Sequence, residues 1–138
     1  MVDTKGDGKN GVRDSRVLRI LVIEDDALIQ MLVCETLISM GHEVCAAVRT
    51  EDEAVQAAAR WRPDLVIVDA HLAGGSGIAA MGRILADRWT PHVFVSGARL
   101  ASASLDPRAV ILQKPYQDHD LARAMARALA ATNSPPQP

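Results

Sequence analysis

Cysteine is scarce in this chain: Cys34 and Cys45 stand alone, with no C-x-x-C pair. Two lone thiols, one in a helical pattern and one in a strand pattern, read as buried and reduced. They give no support to a thiolate metal site or a redox dithiol. No apolar run approaches the roughly 20 residues of a membrane-spanning helix. Met1–Arg16 is polar and carries Gly6, Gly8 and Gly11, without the apolar core of a signal peptide. A cytoplasmic location is expected. The formal charge is −2, so the excess of positive charge that marks nucleic-acid binders is missing. Neither an internal repeat nor a second domain is visible.

What is present is apolar and orderly. Of 138 residues, 49% are hydrophobic, enough for one globular domain with a sizeable core. Four apolar runs stop at a residue able to handle phosphate. Val17–Ile23 meets Glu24-Asp25-Asp26, and Leu65–Val68 meets Asp69. Val93–Val95 meets Ser96, and Ala109–Gln113 meets Lys114-Pro115. Short apolar runs between helical segments read as buried parallel strands. Ligands of open α/β sheets bind beyond the carboxyl ends of such strands. Carboxylates, a hydroxyl and an ammonium therefore gather on one rim, a set suited to phosphoryl transfer to an aspartate.

Strand and helix patterns alternate along the chain. Helix one is expected over Ala27–Met40, with Leu28, Leu32, Thr36, Leu37 and Met40 on one face and Gly41 as its stop. His42–Val48 is the second strand. Thr50-Glu51-Asp52-Glu53 reads as a capping box for a second helix that Pro63 ends. Helix three covers about Gly77–Trp89, with Ile78, Met81 and Leu85 inward. Gly97–Leu105 has room for a short helix four only. Asp118 is placed to cap helix five, where Leu121, Met125 and Leu129 share a face. The expected fold is α/β: a flavodoxin-like (βα)5 doubly wound three-layer sandwich with parallel sheet order 2-1-3-4-5. Residues 1–16 are expected to be a disordered tail, 17–131 the domain, and 132–138 a Pro-rich tail. The G-x-G-x-x-G at Gly6–Gly11 follows no strand and is read as chance.

Glu24, Asp25 and Asp69 then form an acidic pocket. Clustered carboxylates raise one another's pKa, and a hard cation with oxygen ligands relieves them. Asp26 is expected to cap helix one rather than join the pocket. Lys114 is read as a partner of the pocket or of a bound phosphoryl group, and Ser96 as a hydroxyl for a phosphoryl oxygen. His42, His92 and His119 show no ligand spacing.

At this point the chain resembles the receiver domain of two-component response regulators, the CheY-like superfamily. The likeness covers about Arg16–Ala131. It rests on Leu21-Val22-Ile23-Glu24-Asp25-Asp26, Pro63-Asp64-Leu65-Val66-Ile67-Val68-Asp69, Gly77, Val95-Ser96-Gly97 and Lys114-Pro115. The resemblance implies that Asp69 takes a phosphoryl group from a sensor histidine kinase or a histidine phosphotransfer protein. Mg²⁺ (or Mn²⁺) would be held by Asp25, Asp69, the His71 backbone carbonyl and, through water, Glu24. Ser96 and Lys114 would contact the phosphoryl group, and the Lys114–Pro115 peptide would be cis. Output would be binding of a downstream protein by the helix 4–strand 5–helix 5 face, with no output domain, nucleic acid or membrane, and with a weak homodimer allowed. Such a chain is a phosphoacceptor, not a turnover enzyme.

The departures shape the switch. Receivers usually carry Phe or Tyr three residues before the Lys, and here that residue is Ile111. The loop after Asp69 has Ala73 where Pro is common. Pro91 before strand four, Phe94, Ser96-Gly97 and the missing aromatic resemble a subgroup of stand-alone alphaproteobacterial receivers, whose polar or aromatic residue after the Gly is here Ala98. Gly97, Ala98, Ile111 and Pro115 are the expected switch region. His71, two residues past Asp69, is expected to shape water access to the phosphoryl group. The rival reading is a phosphorylation-independent interaction module. Asp69-Ala70-His71-Leu72-Ala73-Gly74 also matches the D-x-H-x-x-G of cobalamin-binding domains, but it follows the third strand where those domains have it after the first. Haloacid dehalogenase-type hydrolases need a second Asp where His71 stands.

Overall fold

The computed structural model describes residues 16–73, 75–100 and 105–131. The expected terminal tails lie almost wholly outside them. Five strands form one parallel sheet: β1 (Arg19–Ile23), β2 (Glu43–Val48), β3 (Leu65–Asp69), β4 (His92–Ser96) and β5 (Val110–Gln113). Their spatial order is β2-β1-β3-β4-β5, the expected doubly wound order. Among the described residues, four helices cover it: α1 (Ala27–Ser39), α2 (Glu51–Trp61), α3 (Gly77–Asp87) and α4 (Asp118–Ala131). A two-residue antiparallel ladder, His71–Leu72 against Gly75–Ser76, lies between β3 and α3 where no strand pattern marks it.

The strands' two-residue period divides the core. Ile20, Val22, Ile67 and Val93 pack with Val33 and Leu37 of α1 and with Leu121 and Met125 of α4. Leu21, Val66, Val68 and Phe94 face the other way, onto Ala54 and Ala58 of α2 and Met81 and Ile84 of α3. No described helix is long and apolar enough to cross a membrane.

Local signals mostly act as read. The Asp26 carboxylate accepts the Leu28 and Ile29 N–H groups and caps α1. Thr50 Oγ accepts Glu53 N–H, but Glu53 returns its carboxylate to Arg49 N–H rather than to Thr50. Gly41, at φ +94°, ends α1 in the left-handed region. Three expectations need correction. The inward face of α1 is set by Val33 and Leu37, whereas Leu28 and Leu32 are 60% and 50% exposed; the helix is apolar on all sides, so periodicity could not orient it. Asp118 is the first residue of α4 rather than its cap, and Asp120 accepts the Gln117 N–H instead. The fourth crossover shows no helix at 97–100 or 105–109, and 101–104 lie outside the described residues.

Candidate functional site

Strand register places the chemistry. Ile23 lies opposite Val68, Asp69 opposite Val95, and Ser96 opposite Gln113. Glu24, Asp69, Ser96 and Lys114 therefore all lie at the same carboxyl rim. One carboxylate oxygen from each of Glu24, Asp25 and Asp69 falls within 4.8 Å of the others. Lys114 Nζ donates to Asp69 Oδ2 at 3.2 Å, and Asp69 Oδ1 accepts His71 N–H at 2.9 Å. The Lys114–Pro115 peptide is cis, as the resemblance implied.

The acids are not equivalent. Glu24 is 5% exposed. Burial, with Asp69 beside it, pushes its carboxyl from 4.5 to about 7, against the lowering effects of Asp26 N–H and Lys114. Asp25 moves the other way: Ala73 N–H donates to its carboxylate at 2.6 Å and holds its pKa below the ordinary value. A buried carboxyl whose charge is made this costly, beside two other acids, is what an oxygen-seeking dication would relieve. Glu24, Asp25 and Asp69 thus have the hard donor set that suits Mg²⁺.

Gly77 fixes the floor of the site. A Cβ there would collide with the Asp69 backbone carbonyl oxygen and crowd Val68 Cγ2. Only glycine lets α3 start this close to β3, and Gly77 N–H donates to Ala70 O from that position. Its place in the sequence resemblance thus has a steric basis.

Ser96 is fully buried, but its hydroxyl is turned onto its own loop. It donates to Ala98 O at 2.7 Å and accepts Ala98 N–H at 3.1 Å, which ties Ser96, Gly97 and Ala98 into a tight turn. Ile111 pairs with Phe94 in the sheet and is half-buried. His71, two residues past Asp69, is exposed. The remaining histidines are structural or superficial. His42 Nδ1 accepts Leu18 N–H, and His119 meets Asp120 on the surface. His92 is buried edge-on between Trp89 and Phe94.

Around the acids the sequence leaves unmarked a cavity and the roles of two side chains, Arg49 and Gln30. A cavity of about 480 Å³ adjoins the acids, with Leu32 of α1 on one side and Pro115 and Tyr116 on the other. The side chains of Arg49 and Gln30 bind the main chain around Glu24 and Asp25. Neither could be found by motif, because a side chain bonding to a backbone carbonyl demands no particular partner residue.

Known proteins place the arrangement. A family model described as the response regulator receiver domain matches residues 20–126. The phyllosphere-induced regulator PhyR of Methylorubrum extorquens is 32% identical over 114 residues, 80% of this chain and 43% of that protein. The transcriptional regulatory protein PdtaR of Mycobacterium tuberculosis is 34% identical over 116 residues, 81% of this chain and 57% of that protein. The chain thus spans about half the length of these curated relatives. The solution structure of the PhyR receiver (REC) domain of Erythrobacter litoralis superposes with a TM-score of 0.76 at 31% identity. That match covers 88% of this chain and 97% of the other. Likeness to PhyR agrees with the alphaproteobacterial part of the resemblance.

Proposed function

The chain belongs to the response regulator receiver domain family, and from that premise we propose that it accepts a phosphoryl group on Asp69 and signals by protein binding. The observation that carries this reading is the Asp69 carboxylate, with Lys114 Nζ at 3.2 Å and two further acids within 4.8 Å. The donor is the phosphohistidine of a sensor kinase or phosphotransfer protein. An Asp69 carboxylate oxygen forms the new bond to phosphorus as the histidine N–P bond breaks in line, and the histidine leaves with the bonding electrons.

Each side chain has a part. Lys114 offers its ammonium to the charge that gathers on the transferred oxygens. His71 N–H orients Asp69 through Oδ1. Asp25, Asp69 and the His71 carbonyl would hold Mg²⁺ or Mn²⁺, with Glu24 acting through water. Bound there, the cation supplies positive charge against that of the phosphoryl group. Ser96 reaches a phosphoryl oxygen only by releasing Ala98, so phosphorylation pulls on the Ser96–Ala98 turn. With Ile111 in place of an aromatic, movement passes to that turn and the crossover behind it. The output face is then the crossover, β5 and α4. Relatives described as regulators support a signalling role rather than turnover, and one described as the anti-anti-sigma factor PhyR supports a protein target.

Treatment with acetyl phosphate, followed by a phosphate-trapping gel, tests the proposal. A retarded band with Mg²⁺, lost with chelator and in Asp25→Ala, is expected. An unretarded protein under all conditions would favour the phosphorylation-independent module.

A further inference from the structure

The turn that presents Glu24 and Asp25 is held from outside by two side chains of neighbouring elements. Gln30, one turn into α1, donates its amide to both Glu24 O and Val48 O, each at 3.0 Å. It thereby ties the end of β1 to the end of β2. Arg49, the residue after β2, donates through Nε and Nη2 to a single acceptor, Asp25 O, at 3.1 and 2.9 Å. The main chain of Arg49 is itself fixed, because its N–H donates to Glu53 Oε1 at the capped start of α2. On its far side Asp25 grips Ala73 N–H in the loop after Asp69. A continuous set of bonds therefore runs from α2 through Arg49 to Asp25 and on to the loop beyond Asp69.

We infer that Arg49 is a positioning residue for the acidic pocket: its two-pronged bond to the Asp25 carbonyl, seconded by Gln30, sets the Asp25 carboxylate for cation binding. The inference rests on the reading of Glu24, Asp25 and Asp69 as the cation site. A guanidinium is suited to this task because its donors are fixed in one plane, whereas a lysine offers one mobile point charge.

The sign of the effect separates positioning from charge. Arg49 is a cation beside a site for a dication. By Coulomb's law alone, removing it makes Mg²⁺ bind more tightly. If Arg49 acts by holding Asp25 in place, removing it makes Mg²⁺ bind more weakly, because groups that orient ligands carry much of a site's affinity.

The experiment is calorimetric titration of Mg²⁺ into the full chain, comparing wild type, Arg49→Met, Arg49→Lys, Gln30→Met and Asp25→Ala, with circular dichroism as the fold control. Arg49 is solvent-exposed, so its variants keep the fold. Arg49→Met is expected to weaken Mg²⁺ binding roughly tenfold. Arg49→Lys, which keeps the charge but loses the fork, should recover only part of that loss. Gln30→Met, which changes no charge, should weaken binding in the same direction. In metal-free protein, Arg49→Met should also speed amide exchange at Ala73, whose N–H depends on Asp25. Mg²⁺ binding in Arg49→Met as tight as, or tighter than, in wild type overturns the inference whatever the other variants do. Unchanged binding in Asp25→Ala overturns the cation-site reading itself, so the two failures are distinguishable.

Discussion

Glu24→Gln should stabilise the protein when no divalent cation is present. The folded state pushes the Glu24 carboxyl from 4.5 to about 7. A shift of one pKa unit corresponds to roughly 1.4 kcal/mol. The folded protein holds this proton more tightly than the unfolded chain does. Its contribution to stability is therefore whole below pH 4.5, shrinks as pH rises towards 7, and is gone above. The ceiling on that loss is about 3 kcal/mol for a group this deeply buried. Glutamine is neutral at every pH. Its amide oxygen can still accept Asp26 N–H, which Glu24 Oε2 accepts at 3.0 Å, and its NH₂ is a neutral donor beside the neighbouring Asp69 carboxylate. Urea unfolding in chelator should then show Glu24→Gln more stable than wild type by about 1–3 kcal/mol at pH 8. The gap should close towards pH 4.5. Saturating Mg²⁺ should narrow it from the other side, by stabilising wild type more than the variant. A variant no more stable than wild type at pH 8, or a gap that ignores pH, would refute the reasoning.

Other expectations follow from single contacts. Gly77→Ala must force α3 away from the Asp69 carbonyl and should cost about 2 kcal/mol or more in denaturant unfolding; a loss under half of that would show the loop to be yielding. His92, buried between Trp89 and Phe94 with Nδ1 2.8 Å from Thr90 O, is held below the ordinary histidine value by burial. Its ring should titrate below 6.5 by NMR, and a value at or above 6.5 would contradict its burial. Beryllofluoride should draw Ser96 from Ala98 and change amide exchange across residues 97–100 and 105–108. Unchanged protection there would move the switch to another face.

The parts of this fold that were legible in sequence are those where one residue type has one job. An apolar run that ends in Asp69, a Lys-Pro pair after the last strand and Asp26 before a helix each name their own place. Side-chain packing was less readable. α1 carries Leu28, Met31, Leu32 and Ile38 outward as well as Val33 and Leu37 inward, so its periodicity pointed to no face. The roles of Arg49 and Gln30 were invisible because their partners are carbonyls, which every residue has. The Ser96 turn is hidden for a related reason: the end of an apolar run places the hydroxyl at the rim, but its local partner, Ala98, depends on a loop conformation that sequence does not specify.

The most direct measurement is the location of the phosphoryl group. After phosphorylation with acetyl phosphate and Mg²⁺, borohydride reduction converts an acyl phosphate to an alcohol that peptide mass spectrometry can place. The reduced residue should be Asp69, and Asp69→Asn should fold normally and yield none. Reduction at Asp25 or Glu24, or phosphate retained by Asp69→Asn at the wild-type level, would contradict the assignment of Asp69 as the acceptor.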